Sequence, residues 1–422
     1  MKRYNSYKLS GISWIGEIPS HWETKRLSSH FHDKISNNSD YTIQRAHKFY
    51  YGTLAPKNET GNLSDYKDTY VGYSHLYPGD IVINGLNLNY DFVSQRIALA
   101  EEDCIITSAY LPIRPYNTTY SPYFNLLLKA MDFQKLFHGM GTGIRLTLSF
   151  NELKAQILPI PPIDEQKRIV EFLSTKNLQI DAQQRERERE LRLLDELKQA
   201  EIANAVTRGL NPDVPMRKTN IPWLDEIPIH WEEKRAKYLF IKQNRPVRDE
   251  DEVITCFRDG QVTLRKNRRT EGFTESFKEI GYQGIRKGDL VVHQMDAFAG
   301  SSGVSDSDGK STPVYIVCTP AYDNIYIPYF ALIFRRMGLN GFIQSLYRGI
   351  RERSSNFSYD VFCNQLLPIP PVDEQKAIVE YIQQKNSVID NMIANLRAEI
   401  NFLTEYKQRL IADVVTGQVK VD

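Results

Sequence analysis

A single stretch of this chain is written twice. SWIGEIPSHWETKRLSSHF at 13–31 returns as PWLDEIPIHWEEKRAKYLF at 222–240, so Trp14, Glu17, Pro19, His21, Trp22, Lys25 and Arg26 each meet an identical residue 209 positions later. Two further blocks keep that offset: GYSHLYPGDIVI at 72–83 with GYQGIRKGDLVV at 281–292, and LPIPPIDEQKRIV at 158–170 with LPIPPVDEQKAIV at 367–379. ELKQAEIANAVT at 196–207 likewise matches EYKQRLIADVVT at 405–416. A repeat this long is a domain-sized unit, so the chain must fold as two copies of one architecture. Between the anchors the likeness fades. Residues 100–147 pair with 305–353 only at scattered positions, among them Tyr110 with Tyr315 and Gly143-Ile144-Arg145 with Gly349-Ile350-Arg351. Each half is a shared frame around a divergent interior.

Within each half the pattern changes character. Residues 13–157 and 222–366 carry short apolar runs such as DIVIN at 80–84 and DLVVH at 289–293, punctuated by turn signals such as Pro78-Gly79. That predicts mixed domains with a substantial sheet. The double prolines Pro161-Pro162 and Pro370-Pro371 cannot lie inside a helix, and each is followed by Asp-Glu, which favours a helix start. Long helices are expected from there.

The second of these has a clear heptad. Val379, Ile382, Asn386, Ile389, Ile393, Leu396, Ile400, Leu403, Lys407 and Leu410 recur at spacings of three and four, the seam of a coiled coil. The matching seam of the first helix is Val170, Leu173, Asn177, Ile180, Gln184, Arg187, Leu191 and Leu194, polar in its middle. QQRERERE at 183–190 is read either as a solvated helix face or as a partner-docking surface. At about 1.5 Å per residue, some 40 residues make a rod roughly 60 Å long. Two fused copies of one unit bury their seams by pairing antiparallel about a pseudo-two-fold axis. Asn177 and Asn386 hold equivalent seam positions, where a buried Asn can fix register.

Composition narrows the class. With 53 Lys+Arg against 52 Asp+Glu, the 422-residue chain lacks the cationic excess of a non-specific polyanion binder, though local basic grooves remain open to it. Four scattered cysteines with no C-x-x-C suggest neither a disulfide framework nor a zinc finger. MKRYNSYKLSGISW lacks the apolar core of a signal peptide, and no run of about 18 apolar residues occurs, so a cytoplasmic protein without a membrane span is expected.

Catalytic motifs are missing. There is no G-x-G-x-x-G, no G-x-x-x-x-G-K-[ST], and the Pro-Pro pairs are followed by Ile163 and Val372 rather than by the aromatic of a base-gripping methyltransferase loop. Glu165-x-Lys167 and Glu374-x-Lys376 read as helix starts, and His21 and His230 as packing or turn-capping residues rather than metal ligands. Binding residues are more promising. Arg265, Lys266, Arg268 and Arg269 in TLRKNRRT, Arg348, Arg351 and Arg353 in YRGIRERSS, and Arg145 in GMGTGIRLT suit phosphate oxygens or guanine edges. Arg45, His47 and Lys48 stand beside Tyr50 and Tyr51, a basic cluster interleaved with aromatics.

The doubled L-P-I-P-P-[IV]-D-E-Q-K-x-I-V and W-[IL]-x-E-I-P-x-H-W-E-x-K-R resemble the specificity subunit of type I restriction-modification enzymes, over essentially the whole chain. The resemblance implies an α+β fold with two target-recognition domains, 1–158 and 221–367. They alternate with a central helical region and linker at 159–220 and a distal helical region at 368–422. The two long helices would form the antiparallel coiled coil. The resemblance further implies a bipartite double-stranded DNA target, one half read by each domain, with the helices setting the spacer and docking two modification (methyltransferase) subunits. The chain itself would hold no cofactor; S-adenosylmethionine, ATP and Mg2+ would belong to partner modification and restriction subunits. DNA contact is expected from Lys48 and Arg145 in the first domain and from the Arg265–Arg269 and Arg348–Arg353 clusters in the second. The alternative is a methyltransferase or nuclease acting on its own.

Overall fold

The computed structural model describes residues 2–60, 62–141, 146–268, 280–346 and 357–421. Its contacts divide the chain into two units, Met1–Glu188 with Arg397–Asp422, and Arg189–Leu396. Both are built to one plan. In the first, a four-stranded antiparallel sheet has the order Phe31–His32, Leu111–Pro115, Ile81–Ile83, Ile97–Leu99; in the second the order is Phe240–Lys242, Tyr315–Pro320, Leu290–His293, Ser302–Val304. One helix covers each sheet, α1 (Ser121–Phe133) in the first unit and α3 (Ile327–Leu339) in the second. The sheets are smaller than the number of apolar runs suggests, because several strands leave to form separate two-stranded ladders.

Two of the repeated blocks turn out to be partners. Glu23–Arg26, from the H-W-E-x-K-R block, pairs antiparallel with Ile157–Ile160 of the L-P-I-P-P block, and Glu232–Arg235 pairs with Leu366–Ile369 in the same register. The prolines then end the strand, and the long helices begin at once: α2 (Ile163–Arg208, 46 residues) and α4 (Val372–Val415, 44 residues). Gln166 and Gln375, both buried, donate to Pro161 O at 2.9 Å and Pro370 O at 2.8 Å, which stitches each helix start to the strand before it. Glu165 accepts from His21 Nε2 at 2.8 Å and from the Tyr4 hydroxyl. Glu374 accepts from His230 Nε2 at 2.8 Å and Trp231 Nε1 at 3.1 Å. The H-W and D-E-Q motifs are therefore one structural joint between sheet and helix, and the histidines are hydrogen-bonded to a carboxylate rather than capping a turn.

The third block closes a turn. Gly79 (φ +98°) and Gly288 (φ +93°) adopt the left-handed backbone, and the following aspartate accepts the N–H three residues back, Tyr77 to Asp80 at 2.9 Å and Arg286 to Asp289 at 2.7 Å. Both carboxylates are buried, and each is neutralised by an arginine from a different place. Arg114 binds Asp80 through Nε and Nη2 (2.9 and 2.7 Å), whereas Arg245 binds Asp289.

Helix pairing is antiparallel within each unit. In the first unit Asp181 meets Lys407 (2.5 Å), Gln184 meets Thr404 (2.8 Å) and Arg187 meets Glu399 (3.0 Å). In the second, Lys198 meets Asp390 (2.6 Å) and Glu201 meets Tyr381 (2.8 Å). Of the seam positions, Leu173, Ile180, Val379, Ile382, Ile389 and Ile393 are buried, while Val170, Leu191, Leu194, Leu396, Ile400 and Leu403 are half-buried. Gln184 and Arg187, polar seam residues inside QQRERERE, make cross-helix bonds, so that stretch is not uniformly a solvated face. Asn177 makes no register bond: its Oδ1 is buried without a partner among the described residues.

A block at a shorter offset links the helices to the domains. Pro122-Tyr123-Phe124 recurs as Pro328-Tyr329-Phe330, and both tyrosines are fully buried. The single Tyr123 hydroxyl proton has Val415 O (2.9 Å) and Pro159 O (3.0 Å) within reach, and Tyr329 donates to Val206 O (3.0 Å). Each hydroxyl satisfies a carbonyl in the last turn of a long helix, where the helix itself offers no N–H.

Candidate nucleic-acid interface

The divergent interiors carry the exposed chemistry. In the first unit His47–Tyr50 and Thr53–Pro56 form a hairpin whose two-residue turn, Tyr51-Gly52, has positive φ at both positions (+43° and +73°). A side chain at Gly52 would meet Gln95 Oε1 at 2.8 Å, so the tip lies tightly on the 84–96 loop. Strand alternation separates the basic residues. Lys48 and Tyr50 face solvent, with Lys48 Nζ 5.6 Å from the Tyr50 ring centre. His47 points the other way and is buried; Arg45 is paired with Glu102. The expected Arg45, His47, Lys48 cluster thus contributes one outward cation at this tip, Lys48.

Beside the tip the 84–96 loop holds apolar side chains out into water. Arg96, fully buried, donates to Asn84 O (2.9 Å), Leu86 O (2.8 Å) and Asp91 O (2.6 Å), fixing the loop from within. Tyr90 (78%), Phe92 (53%) and Val93 (85%) are left exposed, and Phe92 stacks on His138 at 4.5 Å. Three left-handed non-glycine residues, Tyr51, Asn87 and Leu146, border this edge; strained backbone gathered in one place is characteristic of binding surfaces. Behind the hairpin a cleft of about 510 Å³ is lined by His47, Glu102, Asn125 and Lys129. Burial holds the Lys129 ammonium below the usual lysine range, with Lys407 adding to the effect.

The second unit presents different chemistry at the equivalent place. Its hairpin, Ile254–Cys256 with Val262–Leu264, turns through Phe257-Arg258-Asp259-Gly260, closed by Gly260 N–H to Phe257 O at 2.9 Å. Arg268 Nη1 binds Asp259 (2.6 Å) and Gln261 (3.1 Å) while its guanidinium lies 4.3 Å over the Phe257 ring. Arg258, exposed, binds Asp296 at 2.9 Å. Lys266 pairs with Glu252 (2.6 Å), and Arg265 Nε reaches Thr255 Oγ1 (3.3 Å). Arg145, Arg269, Arg348, Arg351 and Arg353 lie outside the described residues. Sequence reading missed Arg258, because F-R-D-G reads as a plain turn, and Tyr90, Phe92 and Val93, because an isolated exposed aromatic has no local signature. Among the described residues no group of His, Cys, Asp and Glu is placed to hold a metal ion.

A second surface runs along the helices. Leu197, Val388 and Met392 are about half exposed and, with Tyr381 and Ile389, line a cleft of about 430 Å³ in the second unit. In the first unit Phe402 (69%) and Tyr406 (47%) are exposed at the positions equivalent to Leu193 and Leu197. Large apolar side chains turned outward on a helix pair leave apolar surface open to a protein partner.

Comparison with known proteins agrees with this architecture. The model of the type I restriction modification DNA specificity domain matches residues 19–192. The chain is 26% identical over 304 residues to the specificity subunit of the EcoBI type I restriction enzyme of Escherichia coli, an alignment covering 64% of this chain and 60% of that protein. It is 21% identical over 439 aligned positions to the MjaX type I restriction enzyme specificity subunit of Methanocaldococcus jannaschii, covering 96% of each. Among solved structures, a chain from a study of complex assembly and conformational transition in the type I R-M system superposes with TM-score 0.67 at 15% identity, over 95% of this chain and 99% of that one. The HsdS subunit from Thermoanaerobacter tengcongensis gives TM-score 0.51 at 15% identity, over 95% and 98%. These structural likenesses speak to the fold.

Proposed function

We propose that this chain is a type I restriction-modification DNA specificity subunit, and that its two repeats read the two halves of one bipartite double-stranded DNA target. Residues 1–158 and 221–367 act as the recognition domains, and 159–220 and 368–422 as the helical regions that set the spacer. One observation carries the reading: two copies of one frame place unlike chemistry, Tyr50-Tyr51 and Arg258-Asp259, at equivalent hairpin tips. Selection for a scaffold alone gives no reason for the tips to differ, whereas two unlike half-sites require it.

The chain is a non-catalytic subunit in this reading. Two modification subunits dock on the helices, where Leu197, Val388 and Met392 in one unit and Phe402 and Tyr406 in the other supply apolar anchors. They bring S-adenosylmethionine, and restriction subunits bring ATP and Mg2+ chemistry, in the cytoplasm. Near-neutral net charge fits a subunit that shares phosphate neutralisation with its partners. Lys48, Arg145, Arg265, Lys266, Arg268, Arg269, Arg348, Arg351 and Arg353 are assigned to DNA contact. The test is to express the chain with its modification partner and sequence the methylated bases of the host genome. A two-part motif with unlike halves is expected, and methylation with no motif sinks the proposal.

A further inference from the structure

We propose that the second recognition domain reads guanine through Arg258 and Arg268, two guanidiniums presented by one rigid hairpin tip. The inference rests on the reading of the chain as a DNA specificity subunit and adds the base that one half-site must contain.

The tip is held still by its own packing. Arg335 of α3, half-buried, donates from Nη1 to Arg258 O at 2.6 Å and to Gly300 O at 2.9 Å. Gly260 sits at φ +91°, and a side chain there would meet Arg335 at 3.0 Å; one at Gly303 would meet Gly260 O at 2.0 Å. The turn is thus pressed onto the strand Ser302–Val304 and tied to the helix behind it. A site on a fixed scaffold loses little freedom when its partner arrives.

The side chains are oriented as well. Asp259 and Gln261 hold Arg268 by Nη1 alone, so its Nε and Nη2 have no partner among the described residues. Asp296 holds Arg258 by Nη2, with Nε and Nη1 similarly unpaired. Each arginine keeps donors free for the O6 and N7 acceptors that only guanine shows in the major groove.

Charge decides between base and phosphate. Each of these two guanidiniums has a carboxylate within 3 Å, Asp259 at 2.6 Å and Asp296 at 2.9 Å, so the outward pairs are each close to neutral, while Arg335 is turned inward onto carbonyl oxygens. A phosphate carries a full negative charge and is repelled by those carboxylates, whereas a guanine edge is uncharged. The carboxylates even suit the paired cytosine, whose N4 amino group donates. At the equivalent tip of the first unit Tyr50 and Tyr51 stand where the second presents Arg258 and Asp259, and neither can make a bidentate bond to guanine.

The experiment uses the full chain assembled with its modification subunit and a duplex bearing its target. Each guanine of the second half-site is replaced in turn by 7-deazaguanine, which lacks the N7 acceptor. Wild type should lose about 5- to 150-fold in affinity at one or two guanines. Arg258→Lys and Arg268→Lys, which keep the charge but replace the planar fork by a point charge, should each reduce the penalty at one of those positions without changing the salt dependence of binding. The proposal is overturned if the half-site contains no G·C pair, if wild type tolerates every deaza substitution, or if the lysine variants retain the full penalty. A salt slope lowered by about one per arginine replaced by alanine also overturns it, since that identifies phosphate contacts. Binding with no sequence preference at all is a separate result, which takes down the specificity-subunit reading together with this one.

Discussion

Replacing Tyr329 by Phe removes one oxygen and leaves everything else in place. The ring remains perpendicular to Trp231 at 6.4 Å, so packing is conserved and the change isolates the hydroxyl. That hydroxyl serves Val206 O in the last turn of α2, in a region with no access to water. An acceptor stranded in such a place costs about 1–3 kcal/mol. For a unit of roughly 200 residues, each kcal/mol moves the melting temperature by about 2–4 °C, so about 2 kcal/mol gives a fall of about 4–8 °C. Tyr123→Phe should cost at least as much, because its hydroxyl lies within reach of two carbonyls, Val415 O and Pro159 O. Burial pushes both phenols well above the usual tyrosine range, so the hydroxyls stay protonated and the effect should not titrate at alkaline pH. Calorimetry gives the size of the effect, and hydrogen exchange gives its place. Tyr329→Phe should speed exchange around 202–212, Tyr123→Phe around 411–420. A shift below about 1 °C for both variants, or faster exchange confined to the other unit, refutes the assignment of these tyrosines as helix-end anchors.

Three further outcomes are expected. Removing one heptad from α2 and the facing heptad from α4 shortens the helix pair by about 10.5 Å, so the spacer of the methylated motif should shrink by about 3 base pairs; an unchanged spacer counts against the helices as ruler. Leu197→Glu combined with Val388→Glu should leave the melting temperature within about 2 °C, since both are exposed, yet weaken association with the modification subunit at least tenfold in sedimentation or titration measurements. Lys129→Met should stabilise the first unit at pH 7. Burial depresses the folded-state value of this lysine, so its charge is a cost at every pH below that value, and the cost fades as pH rises through it toward the ordinary 10.5; the gain in melting temperature should therefore be larger at pH 7 than at pH 10.

What the sequence reveals here depends on whether a feature is local. The helix starts at Ile163 and Val372 follow from Pro-Pro-x-Asp-Glu, and the seam of α4 follows from its heptad, because both are patterns along one segment. The pairing of Glu23–Arg26 with Ile157–Ile160 spans well over a hundred residues, and nothing in either strand names the other. Repetition marked the residues involved without saying why: Glu165 and His21 recur together because they touch. The tyrosine anchors were passed over because a shortened interior shifts their offset away from 209. Binding residues suffered most. His47 and Lys48 are neighbours in sequence but point to opposite sides of a strand, and Arg258 is a binding candidate only once Arg335 is seen to hold its turn.

The central claim is that each repeat reads one half of the target independently. Replacing residues 240–360 with the corresponding interior of another specificity subunit, and sequencing the methylated motif made with the same modification partner, tests it directly. The half-site read by the second domain should change to that of the donor, while the other half and the spacer stay as they were. A motif altered in both halves, or in neither, would contradict the account.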